Sequence, residues 1–321
     1  MNFFTVIILG YLLIAAILIC LIYRDRKNPE IFFGKHKNFA LFLVFILTIG
    51  IILAVDARFI EPNLLVIRKV EIKNTKITTP VRIVFITDPQ VGNHKKTAWA
   101  KKIVKKIDNI KPDIVVLGGD LIDNEWTSED ESIYLEPLEM ITSKYPTYAV
   151  LGNHEYGLGT NNYTDPRLGS GNRSAMVITR LDTIGVQLLK NDLSCINIKD
   201  NNVCLYGIDD LWGGKVSFEN LKKWDQKLFL IFITHNPDGV LQWPKTIKPD
   251  LILAGHTHNG QIFLPLIGPL GDSGVNLGRQ YYYGQKTWED TPMFISSGAG
   301  ESGGPVRLFN PPEIAEINVL P

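Results

Sequence analysis

Two unbroken apolar runs fill most of the first 58 positions, and shorter period-two and period-3.6 patterns replace them afterwards. No side chain is charged from position 1 to 23, and residues 3–23 are almost wholly aliphatic or aromatic, which meets the length needed to cross hydrocarbon. A second uncharged run, residues 39–55, stops at Asp56 and Arg58. Together they predict a transmembrane hairpin over residues 1–58, with spans at about 3–23 and 39–55, ahead of a domain at 59–321. A cleaved signal peptide is the alternative for the first run, but it lacks a basic leading region and a clear small-x-small site.

After a linker at 59–63, residues 64–72 alternate as a strand does, and 81–87 read as a short buried strand ending at Asp88. Trp99, Ile103, Ile107 and Ile110 fall at helical spacing within 95–110, and Pro112 closes that segment. Further apolar strands are expected at 114–117, 147–151, 228–234 and 251–254. Each stops at a polar residue able to hold a metal: Asp120, then Asn153 and His154, then His235, then His256 and His258. In open α/β sheets the ligand crevice lies beyond the carboxyl ends of strands, so side chains distant in sequence can converge there. Four of the six histidines occupy such positions. A single histidine after a strand is more often a hydrogen-bonded surface or core residue, but the joint pattern reverses that default.

Composition narrows the classes. The 33 basic and 33 acidic residues cancel, so there is no global basic field of the kind that holds nucleic acid. With 45% apolar and 21% charged residues the bulk of the chain is folded rather than disordered. Three cysteines are too few for a disulfide scaffold or a cysteine-based zinc module, so any metal here must be held by His, Asp, Asn or Gln. Arg24, Arg26, Lys27, Lys35 and Lys37 lie in the loop between the two spans, while the N-terminal flank has no basic residue. The positive-inside rule puts that loop in the cytoplasm and everything after Asp56 on the extracytoplasmic side. Cys195 and Cys204 flank a turn signal, Lys199 to Asn202, between two short alternating runs, which lets them sit across a hairpin whose register the sequence does not fix. A disulfide and a pair of reduced thiols both fit.

The string Asp88-x-Gln90, Gly119-Asp120, Gly152-Asn153-His154-Glu155, His235 and Gly255-His256-x-His258 resembles the calcineurin-like metallophosphoesterase superfamily. The C-terminal segment, with Ser296-Ser297-Gly298-Ala299-Gly300 and Arg307 through Glu313, is similar to its bacterial membrane-anchored or exported phosphodiesterase branch. The resemblance implies a four-layer α/β/β/α sandwich, with two mixed sheets face to face and metals where the sheet edges meet. It implies that Asp88, Asp120 and His258 hold one divalent ion and that Asp120, Asn153, His235 and His256 hold a second, with Asp120 shared. Gln90 stands where most relatives carry histidine. An amide oxygen is the weaker, harder ligand, which favours an ion such as Mn at that site or leaves the site crippled. His94 is a conceivable substitute, although a loop histidine is the simpler reading. The mixed N/O set suits Mn, Fe or Zn better than Ca. His154 matches the family's histidine that contacts the phosphoryl group and protonates the leaving group, and Glu155 is expected to orient its ring.

Asp209-Asp210 is expected to be structural, residues 156–174 to be either a substrate lid or a passive insertion, and Trp212 through Lys215 to reach the rim. Asn162-Tyr163-Thr164 matches a glycosylation sequon no more often than chance provides. The resulting expectation is a membrane-anchored phosphoesterase acting on diester or diphosphate bonds of an envelope or lipid-linked phosphate, with no nucleic-acid partner. Two rivals stand beside it: a pyrophosphatase of the UDP-diacylglucosamine type, and a non-catalytic scaffold with a structural metal site.

Overall fold

A computed structural model describes residues 3–124, 129–159 and 171–321. The first apolar run forms helix α1 (Phe3–Asp25). After a short turn of helix, α2 (Phe32–Lys35), the second forms α3 (Lys37–Val55), antiparallel to α1. Both α1 and α3 are long and apolar enough to cross a membrane, and few of their residues are buried within the protein. The helix does not give way to a free linker at 59–63. It continues as a π turn, Asp56–Ile60, and a 3-10 turn, Glu61–Asn63, in which Glu61 and Pro62 are buried.

The remaining chain runs β1 (Val66–Lys73), β2 (Val81–Ile86), α4 (Thr97–Ile110), β3 (Ile114–Gly118), α5 (Glu139–Thr142), β4 (Thr147–Val150), α6 (Ser174–Thr183) and β5 (Gln187–Leu188). It continues with β6 (Asp192–Ile198), β7 (Asn201–Gly207), β8 (Phe229–Ile233), β9 (Leu251–Ala254) and a small hairpin, β10 (Phe263–Leu264) with β11 (Gly268–Pro269). It ends with β12 (Gly284–Trp288), β13 (Thr291–Ile295) and β14 (Glu313–Leu320). Two six-stranded mixed sheets result, ordered β1-β14-β2-β3-β4-β5 and β12-β13-β9-β8-β7-β6.

Three packed layers of side chains hold the sandwich together. Ile83, Phe85 and Val116 of the first sheet meet Leu205, Phe229 and Ile231 of the second in a fully buried middle layer. The other face of the first sheet is covered by α4, whose Trp99, Ile103, Ile107 and Ile110 are all buried, as their helical spacing requires. The outer face of the second sheet is covered by short 3-10 turns and aromatics, among them Tyr206, Phe232 and Trp243, so its fourth layer is thinner than a row of α-helices. Lys199 and Asp200 turn the β6–β7 hairpin with φ of 48° and 69°, the backbone of a tight two-residue turn, and that register sets Cys195 directly opposite Cys204. The structure joins the two cysteines in a disulfide, resolving the alternative left open by the sequence.

Candidate metal centre

Strands β2, β3 and β4 are parallel neighbours in one sheet, and β8, β9 and β13 are parallel neighbours in the other. Loops leaving the carboxyl ends of five of these strands, β2, β3, β4, β8 and β9, meet along one edge of the sandwich, and they carry Asp88, Gln90, Asp120, Asn153, His154, His235, His256 and His258. All eight are buried. Positions spread over some 170 residues of sequence are thereby brought into one cluster.

The distances separate two halves around Asp120. On one side Asp120 Oδ2 lies 3.2 Å from His235 Nε2, His235 Nε2 lies 3.2 Å from both Asn153 Oδ1 and His256 Nδ1, and ligand atoms of Asp120, His235 and His256 all fall within 4.8 Å of one another. On the other side Asp88 Oδ1 and His258 Nε2 face each other at 3.3 Å, and Gln90 Nε2 stands 3.5 Å from Asp120 Oδ2. Asp88 Oδ1, His258 Nε2 and Gln90 Oε1 are buried without a hydrogen-bond partner. Unsatisfied buried polar atoms are rare and costly, and three of them aimed into one cluster fit a cation.

The backbone fixes which ring atom each histidine can offer. Nδ1 of His235 is taken by the Gly118 carbonyl at 2.8 Å, leaving Nε2 toward the cluster, and Nε2 of His256 is taken by the Ser273 carbonyl at 3.0 Å, leaving Nδ1. The Asn153 amide donates to the Leu158 carbonyl at 2.6 Å, which turns its oxygen inward. Asp88 spends its other oxygen, Oδ2, on the Thr87 hydroxyl and the His256 amide. Strain accompanies this order: Asp88, Gln90, Asp120, His256 and His258 all have positive φ, between 40° and 68°. Non-glycine residues held there mark sites whose surroundings over-determine them. Gly152 leaves no room for anything larger, since a Cβ there would lie 2.2 Å from Asp120 Oδ1.

Electrostatics favour the ionised carboxylates. Burial alone would raise the pKa of Asp120, but the His235 and His154 imidazoles outweigh it and hold the carboxyl far below the usual range. Burial likewise opposes charge on His235, and the Asp120 carboxylate overrides that, raising it to about 10. Burial and the neighbouring His235 together push His256 down to about 3, so it is a neutral imidazole.

Glu155 does not orient the His154 ring as expected. Its carboxylate accepts the backbone N–H groups of Asp120, Leu121, Ile122 and Gly152 at 2.7 to 3.2 Å, and it clamps the β3 and β4 loops together. Burial and the charge of Asp120 raise its pKa to about 7. The His154 ring instead holds the Asp123 carbonyl oxygen with Nδ1 and turns Nε2 toward Gln90 and Ser302, each at 3.4 Å.

Among the described residues, His94 is exposed on the loop before α4 and stands outside the cluster. Asp209 and Asp210 are structural, accepting from Lys215 N and from Trp212 N and Gly213 N. Trp212 reaches the rim, with its ring 4.6 Å from that of His256. The lid candidate and the sequon fall mostly on residues outside those described. Ser302 carried no functional signal in the sequence, and Arg307 carried only the family resemblance of the C-terminal segment. Ser302 lines the cleft, and Arg307 is fully buried behind His258 with Nη2 donating to the carbonyls of Ser297 and Gly298.

The family model described as calcineurin-like phosphoesterase matches residues 81–260. A metallophosphoesterase of Campylobacter jejuni is 31% identical over 292 residues, covering 89% of this chain and 72% of that one. One of Helicobacter pylori is 31% identical over 263 residues, covering 79% of this chain and 64% of the relative, so somewhat under two thirds of that longer protein is matched. Phosphodiesterase YaeI of Escherichia coli is 25% identical over 250 residues, covering 75% of this chain and 83% of that one. The chain belongs to the calcineurin-like phosphoesterase family. Members of that family generally depend on two metal ions, and the relatives above are named as metallophosphoesterases and a phosphodiesterase.

Proposed function

We propose that the chain is a membrane-anchored phosphoesterase that cleaves phosphodiester or diphosphate bonds of an envelope or lipid-linked substrate outside the cytoplasm. Asp88, Gln90, Asp120 and His258 would hold one divalent ion, and Asp120, Asn153, His235 and His256 the other, with Asp120 common to both. The observation that carries this reading is the set of three buried atoms without a hydrogen-bond partner, Asp88 Oδ1, Gln90 Oε1 and His258 Nε2, beside the Asp120–His235–His256 group. Mn, Fe and Zn all suit such a mixed set. A pair of such ions, when bound, polarises a phosphoryl oxygen, generates a nucleophile from water near neutral pH and offsets charge on the oxygens of an in-line displacement.

The chain's own groups supply position and a proton. His154 Nε2 faces the cleft, and its Nδ1 is anchored on the Asp123 carbonyl, so the ring can carry a proton on Nε2 toward a departing oxygen without turning. Glu155 keeps Asp120 and Gly152 in register through their N–H groups, acting as a positioning residue. Ser302, beside His154, and Gln261 also line the cleft and would offer hydrogen bonds to the non-reacting part of a substrate.

The basic loop between α1 and α3, with both chain ends on the other side, supports an extracytoplasmic site. The Cys195–Cys204 disulfide supports the same side, because such bonds persist in oxidising compartments. That placement weighs against a nucleotide-lipid substrate drawn from the cytoplasmic leaflet. The test is hydrolysis of bis-p-nitrophenyl phosphate by the full-length protein with Mn, Zn or Fe, together with metal content. Turnover with at least one metal is the expected result. Two bound ions without turnover for any of the three would favour the scaffold reading. A C-terminal reporter active only in the cytoplasm would overturn the topology.

A further inference from the structure

The hairpin β10–β11 leaves the metal centre two residues after the 258–260 turn and returns to it at Gly271, and its tip is unlike the rest of the surface. Leu266 is 106% exposed and Ile267 is 67% exposed, with Leu270 also exposed beside them. The tip is a turn closed by the Ile267 amide on the Leu264 carbonyl, with Pro265 and Leu266 in its two central positions. Leu266 has φ +73°, at the place in a proline-led turn where glycine or asparagine is favoured. The sequence thus keeps a large apolar side chain at a strained position where it touches nothing in the protein.

The base of the hairpin is tied to the end of the anchor. Phe263 N donates to the Leu308 carbonyl, the neighbouring Arg307 N donates to the Ala57 carbonyl at the end of α3, and Phe309 N donates to the Glu61 carboxylate. On the same side a Cβ on Gly304 would meet the Phe4 ring at the start of α1, and Arg58 donates to Thr5. Phe59, Ile60 and Phe309 are exposed between the spans and the hairpin, so the apolar surface of the anchor continues toward the tip. Lys102 of α4 reaches the Asn63 carbonyl, which sets a lysine-rich helix, with Lys101, Lys105 and Lys106, beside the same end of the anchor. An apolar tip continuous with the anchor, together with a lysine-rich helix beside the anchor's end, fits an anionic lipid surface.

We propose that Leu266 and Ile267 insert into the bilayer interface, so that the hairpin is a second membrane contact and the mouth of the catalytic cleft lies against the lipid surface. The cleft is lined at once by Gly260 and Gln261 before the hairpin, Gly271 and Ser273 after it, and Ser302 and Gly303 on the segment docked to the anchor. Its volume, about 270 Å³, admits a phosphorylated head group but no acyl chain. A lipid substrate would place its head group in the cleft while its chains stay in the leaflet beside the hairpin. The proposal rests on the anchoring reading of α1 and α3.

The test uses full-length protein in phosphatidylcholine–phosphatidylglycerol vesicles. Cys20 is the free cysteine among the described residues, so Cys20→Ser with Leu266→Cys accepts one environment-sensitive fluorophore at the tip, and Lys222→Cys in the same background is the control. Unchanged hydrolysis of bis-p-nitrophenyl phosphate in micelles shows that each labelled chain is folded. The expected result is a blue-shifted emission at position 266 that brominated acyl chains quench, with neither effect at 222. Protein that floats with the vesicles while the label at 266 emits as in water overturns the hairpin contact and leaves the anchor intact. A blue shift without quenching by brominated lipid overturns it in favour of a protein neighbour. Protein that fails to float overturns the anchoring reading and this proposal with it.

Discussion

Replacing Glu301 by Gln perturbs a buried charge cluster directly behind the metal centre. The Glu301 carboxylate lies 2.8 Å from Lys95 Nζ and 3.3 Å from Arg307 Nε, and the three side chains are 3%, 7% and 0% exposed. Lys95 also donates to the Pro62 carbonyl at 2.8 Å and sits 3.5 Å over the Trp99 ring, so this cluster joins the end of the anchor to α4. Burial lowers Lys95 to about 8 even with Glu301 opposing the shift. Neutralising Glu301 leaves two buried cations facing each other. Removing one partner of a buried pair costs about 3–5 kcal/mol. Arg307 cannot shed its proton, but Lys95 can, at a cost near pH 7 of about 1.4 kcal/mol for each pH unit below its pKa. That escape limits the loss to the lower end, about 3 kcal/mol, and at roughly 2–4 °C per kcal/mol for a domain of this size Tm should fall by about 6–12 °C. Thermal unfolding followed by near-UV circular dichroism of the detergent-solubilised chain reads it directly.

The pH dependence gives the sign. Lys95 is deprotonated above about 8 in the fold but near about 10.4 in the unfolded chain, so between those values the unfolded chain holds more protons and the native state gains stability as pH rises. Without the Glu301 carboxylate Lys95 loses its proton at lower pH still. Glu301→Gln therefore gains stability over the whole range from pH 7 to pH 9, the wild type only above about 8, and the deficit should shrink. A Glu301→Gln protein within about 0.5 kcal/mol of wild type at pH 7 would refute the cluster as described.

Asp120→Asn should abolish metal binding and turnover together, whereas His154→Ala should lose turnover by about 10²–10⁴-fold and keep its metal. Loss of metal in His154→Ala, read by metal analysis, would remove it as the proton donor. Gly152→Ala should impair both metal content and turnover, because its methyl group would stand 2.2 Å from Asp120 Oδ1, and a protein with full metal content would contradict that contact. Cys195→Ser combined with Cys204→Ser opens a loop spanning nine positions and should lower stability by about 2–3 kcal/mol, measured in urea under oxidising conditions.

Much of the fold was readable because its signals are local. Alternation and apolar runs placed the strands, the 3.6 period of Trp99, Ile103, Ile107 and Ile110 placed α4, and the ending of each strand in a polar residue pointed to one edge of the sandwich. The cluster of Asp88, Asp120, Asn153, His235, His256 and His258 followed from that grammar and from the family resemblance. What escaped depends on tertiary partners. Glu155 looked like a partner for the histidine next to it, yet its oxygens are taken by four backbone N–H groups, three of them from a loop more than 30 residues away. Arg307 belongs to the C-terminal string that resembles the family, but that resemblance says nothing of its burial, which the carbonyls of residues 297–300 folding around it explain. Residues 59–63 looked like a linker because nothing in their sequence reveals that the Glu61 carboxylate finds the amide of Phe309. The disulfide needed the hairpin register, which a period-two pattern leaves free by even steps.

Anomalous diffraction from crystals of the full-length protein grown with Mn tests the central claim most directly. The account predicts two peaks about 3.5–4 Å apart, with Asp120 between them, Asp88 and His258 on one and His235 and His256 on the other. A single peak, or two peaks that leave the Asp120 carboxylate untouched, would contradict it.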